Sequence, residues 1–411
     1  MGLFSRHLRL LFLATALVVA AFSTGISFLF FLVYLTAAIL IASWFYARGG
    51  LRSVRADYRV LNPRTHVGEV LQAIYRVENH DRIAKHSIEL WNESTMPTSL
   101  PGRVIGVPAR GARQWLAKVR LTRRGSYRLG ALRVRTGDPF GLFTTEMTVG
   151  QATSVVVFPE VVTLPHWRLP PSPIDGTARM RRRYEAATPL VTGVRQYAHG
   201  DAINRIHWLS SARHGELHVK EFDFEQAADL WIVLDLDRSV HAGIGTDASV
   251  EVAVTVAASV AMRTLSDNRS VAMTASARRV QVHQPDRGPR VEQKLLHLLA
   301  NVQADGSHPL AEVTNSTLPQ LRRGMTLCVV TGSTDRTWVR AMAALRRRGV
   351  AALVILLDRS SWIGLEPDED ARAELGAVRH ALSEYGIEHR LVRRGDDIAD
   401  AIGGGRTRAR A

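Results

Sequence analysis

The pattern of apolar and charged positions divides the chain into three regions, and the first is an uncharged apolar segment. No Asp, Glu, Lys or Arg occurs from Leu10 to Ala47, a run of 38 residues. Crossing a bilayer takes about 20 apolar residues, so the run is long enough to cross twice. Ser23, Thr24 and Gly25 suit a turn near its middle. The pattern therefore predicts a transmembrane helical hairpin within residues 1–50, with helices near 10–24 and 26–46.

Basic residues flank the hairpin on both sides. Arg6 and Arg9 precede it, and Arg48, Arg52 and Arg55 follow it. Since cytoplasmic flanks of membrane helices carry an excess of Lys and Arg, we expect a multi-pass cell-membrane protein with N- and C-termini in the cytoplasm. A cleaved signal peptide fits less well, because its apolar region would end after about 7–15 residues.

Residues 51–162 show short runs of alternating apolar and polar positions, which are typical of strands with one buried face. We predict a small all-β sandwich. Gly, Pro and Asn separate the runs, and Asp138–Phe143 places turn residues inside an aromatic run that we expect to fold back onto the sandwich. The alternating runs are 66–78, 115–121, 127–134 and 155–158.

The remaining chain divides into a linker, an α/β region and a tail. Residues 163–227 begin with prolines and a basic cluster at Arg179 and 181–183, so we interpret them as an interdomain linker. Residues 228–400 alternate continuous apolar strands with helices, which favours a doubly wound α/β domain. Residues 401–411, with three glycines and several arginines, read as a basic disordered tail. The predicted strands are 230–234, 271–276, 327–330, 351–357 and 388–392, and the predicted helices are 249–265, 291–302, 337–347 and 371–385.

The composition and charge of the chain limit the classes of function that it can have. The formal net charge is +15, from 53 Lys and Arg against 38 Asp and Glu, and 49 of the basic residues are Arg. This charge raises the question of nucleic-acid binding, but the arginine runs are scattered and no nucleic-acid-binding module is present. Attraction to anionic lipids explains the charge in a membrane-tethered protein, so we expect a lipid-bilayer partner and no nucleic acid. The single cysteine, Cys328, excludes a disulfide framework or a zinc site of several thiolates within the chain.

Candidate chemistry lies where strands of the α/β region end. The first strand is followed by Asp235-X-Asp237-X-Ser239, and the strand from Leu327 is followed by a loop from Thr331 to Asp335. Ligands of such sheets bind outside the carboxyl ends of the strands, and Mg²⁺ prefers oxygen ligands. A magnesium site is one interpretation. The alternative is that the carboxylates cap the next helical turn and the hydroxyls satisfy loop amides.

The spacing Asp235-X-Asp237-X-Ser239 resembles the metal-ion-dependent adhesion motif of von Willebrand factor type A domains. Asp237 stands where that motif has Ser. The resemblance implies a Mg²⁺ site completed by a hydroxyl from a later loop, matched here by Ser307, and by an Asp after the fourth strand. Gly332 or Ser333 holds the place of that Asp in this sequence, and Asp335 follows a little later. It also implies a von Willebrand factor type A-like fold for the α/β domain.

A second resemblance covers nearly the whole chain. The segment from Gly193 to Glu221, together with Asp138–Leu142 and Arg124-Gly125-X-Tyr127, is similar to the bacterial domain-of-unknown-function 58 family. The resemblance implies a membrane-anchored adaptor that works with a MoxR-type AAA+ ATPase, often near a transglutaminase-like membrane protein, and it implies no catalytic activity. The signature residues are Arg195, Tyr197, Gly200, Asp201, Arg205, His207, Trp208, Arg213, Lys220 and Glu221.

The signature residues have a structural interpretation of their own. Gly200 permits a tight turn, Asp201 can cap a helix from Ala202, and Trp208 is a large anchor. Arg205 and Arg213 can pair with carboxylates such as Asp201 or Glu221. We favour an interdomain joint over an active site. His214 and His218 have the spacing of metal ligands on a helix, but a strand at Leu217–Val219 would break that geometry.

The sequence supports two candidate functions. The first is a non-enzymatic, membrane-anchored cytosolic scaffold that binds protein partners at the strand-tip loops. The alternative is a Mg²⁺-dependent enzyme of phosphoryl or hydrolytic chemistry at Asp235 and Asp237. No phosphate-binding Gly-X-X-X-X-Gly-Lys loop occurs to support that alternative.

Overall fold

The computed structural model describes residues 2–170, 191–198, 201, 203, 206–222, 229–364 and 369–403. The chain forms two compact units, Met1–Phe158 and Pro159–Ala411. The arginine cluster at 179 and 181–183 lies outside the described residues, as does the tail from 404 onward.

The first unit begins with two apolar helices, α1 (Gly2–Thr24) and α2 (Ser27–Gly49). The turn between them contains Gly25, whose φ of 68° favours glycine. Helix α1 starts at Gly2 instead of near residue 10, because no helix-breaking residue lies between these positions. Helix α2 is long and apolar enough to cross a membrane, and only 6% of its most apolar 18-residue stretch is buried.

The rest of the first unit consists of β-strands in two sheets. Strands β1, β3 and β6 form an antiparallel sheet, and the second sheet has the order β2-β9-β7-β4-β5, with β8 also paired to β7. Both sheets contribute to one core, for example Leu71 and Val77 of β3 with Leu90 of β4 and Leu129 of β7. The alternating runs indicated this β-rich region. Its strands are β1 (Val54–Val60), β2 (Arg64–His66), β3 (Val70–Asn79), β4 (Lys85–Ser94), β5 (Arg103–Val107), β6 (Ala112–Arg120), β7 (Gly125–Gly137), β8 (Thr144–Val149) and β9 (Thr153–Phe158).

The second unit contains a β-hairpin inside the segment that we interpreted as a linker. Strands β10 (Val191–Gln196) and β11 (His218–Phe222) pair in antiparallel orientation, and helix α3 (Trp208–His214) lies between them in sequence. Five of the signature residues lie on these elements: Arg195, Trp208, Arg213, Lys220 and Glu221.

The α/β sheet follows, with the strand order β14-β13-β12-β15-β16-β17. All neighbouring strands are parallel except the edge strand β14. Its elements are β12 (Leu230–Leu234), α4 (Ser249–Ser266), β13 (Val271–Ser276), β14 (Val280–Asp286), α5 (Pro289–Asn301), α6 (Leu310–Thr317), β15 (Thr326–Thr331), α7 (Thr337–Arg347), β16 (Ala351–Leu357), α8 (Glu369–Glu384), β17 (Glu388–Val392) and α9 (Ile398–Gly403).

Strand β12 is buried on both faces, as its continuous apolar sequence predicted. Leu230 and Ile232 belong to one core, and Trp231 and Val233 belong to the other. Helix α4 is also long and apolar enough to cross a membrane, but 61% of it is buried against the sheet. The α/β region is thus confirmed. The sequence reading missed β14, α6 and α9, since β14 is a largely exposed edge strand and both helices are short.

Candidate functional site

The centre of the strand-tip region is Asp235, which follows β12 and is fully buried. The hydroxyl of Thr331 donates to Asp235 Oδ2 at 2.6 Å. The hydroxyl of Ser276 lies 3.4 Å from Asp235 Oδ1, which also accepts from the Asp237 backbone N–H at 3.2 Å. Thr331 ends β15 and Ser276 ends β13, so the tips of three neighbouring strands meet at one carboxyl group. The strand order changes direction between β12 and β15, which is where ligands bind in such sheets.

Burial controls the acidity of this group. Removal from water raises the pKa of Asp235 to about 6 from an ordinary value of 3.8. The Thr331 and Asp237 hydrogen bonds partly oppose this rise, and the nearby charge of Asp237 adds to it. Because no Lys or Arg pairs with Asp235 among the described residues, its negative charge at neutral pH is stabilised by hydroxyl and amide donors alone.

Asp237 and Ser239 lie nearer the surface. Asp237 Oδ1 accepts from both the backbone N–H and the hydroxyl of Ser239, each at 2.8 Å, and so caps the short 3₁₀ turn Arg238–Val240. These are the bonds expected from the capping alternative. Ser307 is close in the fold, because its neighbour Gly306 bridges to Asp237 and accepts from the Arg238 N–H at 3.0 Å.

Asp335 has a different local role. Its Oδ1 accepts from the Thr337 backbone N–H at 3.0 Å, where α7 begins. Its own N–H donates to Ser333 Oγ at 3.3 Å, and the Ser333 N–H donates to Thr331 Oγ1 at 2.9 Å. Asp335 is therefore linked to Asp235 only through two intervening residues. Within the described part of the chain, no three His, Cys, Asp or Glu side chains are grouped to hold a metal ion.

Two further residues at the strand tips were missed from sequence. His241 Nε2 lies 2.9 Å from the backbone oxygen of Asp235, and its Nδ1 lies 3.1 Å from Ser249 Oγ, so this ring connects the loop to the start of α4. Ile244, in the same loop, is 97% exposed. The local sequence contains no periodic signal for either residue, because both lie in an irregular loop between β12 and α4.

The signature segment forms a local hydrogen-bonded unit. Arg195 forms a bidentate pair with Asp201, with Nη–Oδ distances of 2.7 and 2.8 Å, and Asp201 Oδ2 accepts from the Ala198 N–H. Tyr197 donates its backbone N–H to Leu217 O at 2.8 Å. Asp201 thus pairs with Arg195, whereas we had expected Arg205 or Arg213.

The other signature residues are only partly described. Gly200 and Arg205 lie outside the described residues, and Glu221 is described only through its strand pairing with Gly193. Arg213 is exposed and Lys220 is half-buried.

His207 and Trp208 begin helix α3. His207 caps the helix, since its Nδ1 accepts from the Ser210 N–H at 3.2 Å and lies 2.8 Å from Ser210 Oγ. Trp208 is 66% exposed, so it is not the buried anchor that we expected. Leu209 and Ile203 are 70% and 71% exposed.

His214 and His218 lie together despite the strand at His218. Their ring centroids are 5.0 Å apart, because α3 ends at His214 and the chain reverses at Gly215. The Nδ1 atom of each ring lies within 3.0 Å of a backbone oxygen, that of Ser210 or of Glu216. The strand at His218 is present, so the two rings meet through the chain reversal and not through the spacing of ligands on one helix.

Comparison with known proteins shows which protein family part of the chain is similar to. The model of the family described as "Protein of unknown function DUF58" matches residues 193–361. The Uncharacterized protein YeaD of Bacillus subtilis (strain 168) is 25% identical over 211 residues, which are 51% of each protein. The chain therefore spans about half the length of that curated relative.

Among solved structures, the conserved hypothetical protein BatB from Bacteroides thetaiotaomicron matches with a TM-score of 0.32 and 14% identity, over 43% of this chain and 95% of that one. The CARDB domain of the PF1109 protein from Pyrococcus furiosus matches with a TM-score of 0.19 and 14% identity, over 25% of this chain and 91% of that one. The family match covers the signature hairpin and the sheet through the loop after β16. Residues 193–361 of the chain are thus similar to the protein family of unknown function DUF58.

Proposed function

We propose that this protein is a membrane-anchored scaffold that binds a protein partner at the strand tips of its α/β unit. Membrane anchoring is supported by α2, which is apolar along its length and exposes large side chains such as Phe28, Phe31 and Phe45. We also propose that the N- and C-termini lie in the cytoplasm. The partner is a MoxR-type AAA+ ATPase, and a transglutaminase-like membrane protein is a further member of the assembly.

The observation that carries the proposal is an apolar patch at the strand tips. Ile244 is 97% exposed and Ile363 is 52% exposed. They lie on adjoining loops, since a Cβ atom on Gly243 would be 3.2 Å from Trp362 Cδ1. Asp237 and Ser239 lie in the same loop as Ile244. Exposed apolar side chains surrounded by polar groups are typical of protein-binding surfaces. We call Asp237, Ser239, Ile244 and Ile363 the strand-tip surface.

The sheet order supports a von Willebrand factor type A-like fold for this unit. Numbered along the chain, the strands are arranged 3-2-1-4-5-6, with an antiparallel third strand at one edge. We further propose that Mg²⁺ binds at the strand tips. Asp235, Asp237, Ser239 and Ser307 supply oxygen donors there, as does Thr331, and a cation would offset the buried charge of Asp235. Asp335 would contribute to the Mg²⁺ site only from a greater distance, because its carboxylate caps α7.

A binding experiment tests the partner surface. The tagged full-length protein, solubilised in detergent, is titrated with the purified MoxR-type AAA+ ATPase of the same organism. Replacing Ile244 with Asp places a charge at the most exposed apolar side chain of the strand-tip surface. We expect a loss of about 2 kcal/mol, roughly thirtyfold in Kd, as for a central interface residue.

The control variant is Val282→Asp, at a residue that is 44% exposed on the edge strand β14. It should bind as the unmodified protein does. If both variants weaken binding equally, or if neither weakens it, the strand-tip surface is not the binding site. Repeating the titration with a chelator separates direct binding from a Mg²⁺ bridge, since only the bridge is lost.

The non-enzymatic part of the proposal has its own test. Purified full-length protein is assayed with Mg²⁺ against phosphate-ester and nucleoside-triphosphate substrates. We expect no turnover above that of an Asp235→Ala, Asp237→Ala double variant. Turnover that the double variant abolishes would instead support a Mg²⁺-dependent enzyme.

A further inference from the structure

The turn between β7 and β8, residues 138–143, is rigid and presents an aromatic ring outward. Asp138 is buried, and its carboxylate accepts from the backbone N–H groups of Phe140 at 2.9 Å and Phe143 at 2.6 Å. The Asp138 N–H donates to Phe143 O at 3.1 Å, which closes the turn. Gly141 has a φ of 64°, a conformation that favours glycine. Phe140 is nevertheless 59% exposed.

This turn lies beside the last part of α2. The Thr145 hydroxyl, just after the turn, donates to Ala47 O at 2.9 Å. Phe143 lines a shallow groove together with Leu40, Ile41, Trp44 and Phe45 of α2. From Ala47 back to Leu40 the helix advances about 10 Å at 1.5 Å per residue. The turn therefore extends along α2 in the direction of its apolar middle.

The part of α2 that the turn contacts indicates how deep the turn would lie in the bilayer. Ile41 and Phe45 are 58% and 64% exposed, and a helix of this length and composition is suited to the hydrocarbon region of a bilayer. Trp44 carries the Arg48 guanidinium 5.1 Å from its ring centroid, and Trp with a flanking Arg is typical of the membrane–water interface. Phe143 touches the same stretch of helix, so the turn reaches the level of this interface.

We propose that the turn 138–143 is a second membrane-contacting element, which inserts Phe140 among the lipids at the bilayer interface. The proposal rests on the proposed anchoring of α2 and adds a function that anchoring alone does not require. The turn and α2 together contact the bilayer at two places and so fix the tilt of the β sheets of the first unit.

Lipid is the occupant because the apolar groove is continuous with the outward surface of α2. Trp44, Phe45 and Phe143 share one surface, and none of the described residues that line the groove is charged. A rigid turn suits this role, since holding Phe140 in place before insertion lowers the entropic cost of binding.

Site-directed spin labelling tests the depth of Phe140. The single cysteine, Cys328, is fully buried, so Cys328→Ala provides a cysteine-free background. Phe140→Cys is then labelled with a nitroxide, and the full-length protein is reconstituted into vesicles of phosphatidylcholine and phosphatidylglycerol. Collision rates are measured with oxygen, which concentrates in lipid, and with a polar nickel chelate, which stays in water.

Leu61→Cys is the matched control. Leu61 is 47% exposed and follows β1, whose other end, Val54, begins shortly after α2. The seven-residue strand separates these ends by about 20 Å at ~3.3 Å per residue, so this label should remain in water. We expect a several-fold higher oxygen-to-nickel collision ratio at position 140 than at position 61.

The outcomes separate the turn from the anchor. Equal ratios at the two positions, in protein that floats with the vesicles, would overturn the role of the turn and leave the anchor intact. Low collision rates with both reagents at position 140 would also overturn it, because they indicate burial against protein. Failure to float would instead overturn the anchoring on which both depend. Circular dichroism of each labelled variant shows whether it has folded.

Discussion

At the scale of single residues, the site depends on one buried carboxyl group. Asp235 is fully buried, and Thr331, Ser276 and a backbone N–H supply its hydrogen bonds. Such donors stabilise a buried charge only in part, as the pKa of about 6 indicates. Asp235 therefore makes stability depend on pH and on any cation that binds nearby.

The first prediction concerns Asp235→Asn. The folded-state pKa of about 6 lies above the ordinary 3.8, so the contribution of Asp235 to stability is fully present below about pH 4. It is lost as the pH rises through about 6, at a cost of about 3 kcal/mol. Asn does not ionise, so the variant should lack this pH dependence. Denaturant unfolding of both proteins at about pH 4 and about pH 7.5 measures the difference.

Parallel pH dependence in the two proteins would contradict this account of Asp235. Adding Mg²⁺ extends the measurement. If Mg²⁺ binds the ionised carboxylate, it restores the stability of the unmodified protein at about pH 7.5 and leaves the variant unchanged.

At the scale of elements, the strand-tip loops are held by close backbone packing. A Cβ atom on Gly306 would lie less than 3.0 Å from the carbonyl oxygens of Ser276 and Leu236. Gly332 is equally restricted by Val240 O. The loop before α6, which holds Gly306, therefore packs closely against the ends of β12 and β13, and the loop after β15 packs against the loop after β12. A side chain larger than that of glycine would not fit at either position. This packing holds the strand-tip surface in one arrangement.

The second prediction compares two Gly→Ala changes. Gly306→Ala should destabilise the protein by roughly 1–3 kcal/mol, because the loops must separate to admit the methyl group. Gly376→Ala should stabilise it by up to about 1 kcal/mol, because Gly376 lies inside α8 with open space around it. Thermal unfolding of the full-length protein in detergent gives both signs. A neutral Gly306→Ala would show that the loops are loosely packed.

At the scale of the whole molecule, the proposed membrane anchoring would explain both the charge of +15 and the uncharged segment. The basic residues next to the apolar helices favour the cytoplasmic, anionic side of a membrane. Under that proposal, anionic lipids would account for the arginines without nucleic acid. We therefore relate the charge to membrane placement.

The third prediction concerns membrane topology. A green fluorescent protein fused to the C-terminus should fluoresce, and an alkaline phosphatase fused there should be inactive, because that end is expected in the cytoplasm. A fusion of the phosphatase after Gly25, in the turn between α1 and α2, should be active on the opposite side. Activity at the C-terminus would reverse the proposed orientation.

The sequence by itself determined the apolar helices and the alternation of strands and helices in the α/β region, because these depend on the period of apolar residues. It also indicated the segment by which the family is recognised. The tertiary structure decided what meets at the strand tips. Thr331 lies 96 residues from Asp235, and only the order of the strands brings the two together. Tertiary structure likewise decided that Trp208 is exposed and that His214 meets His218, since burial and chain reversal depend on neighbours that no local pattern specifies.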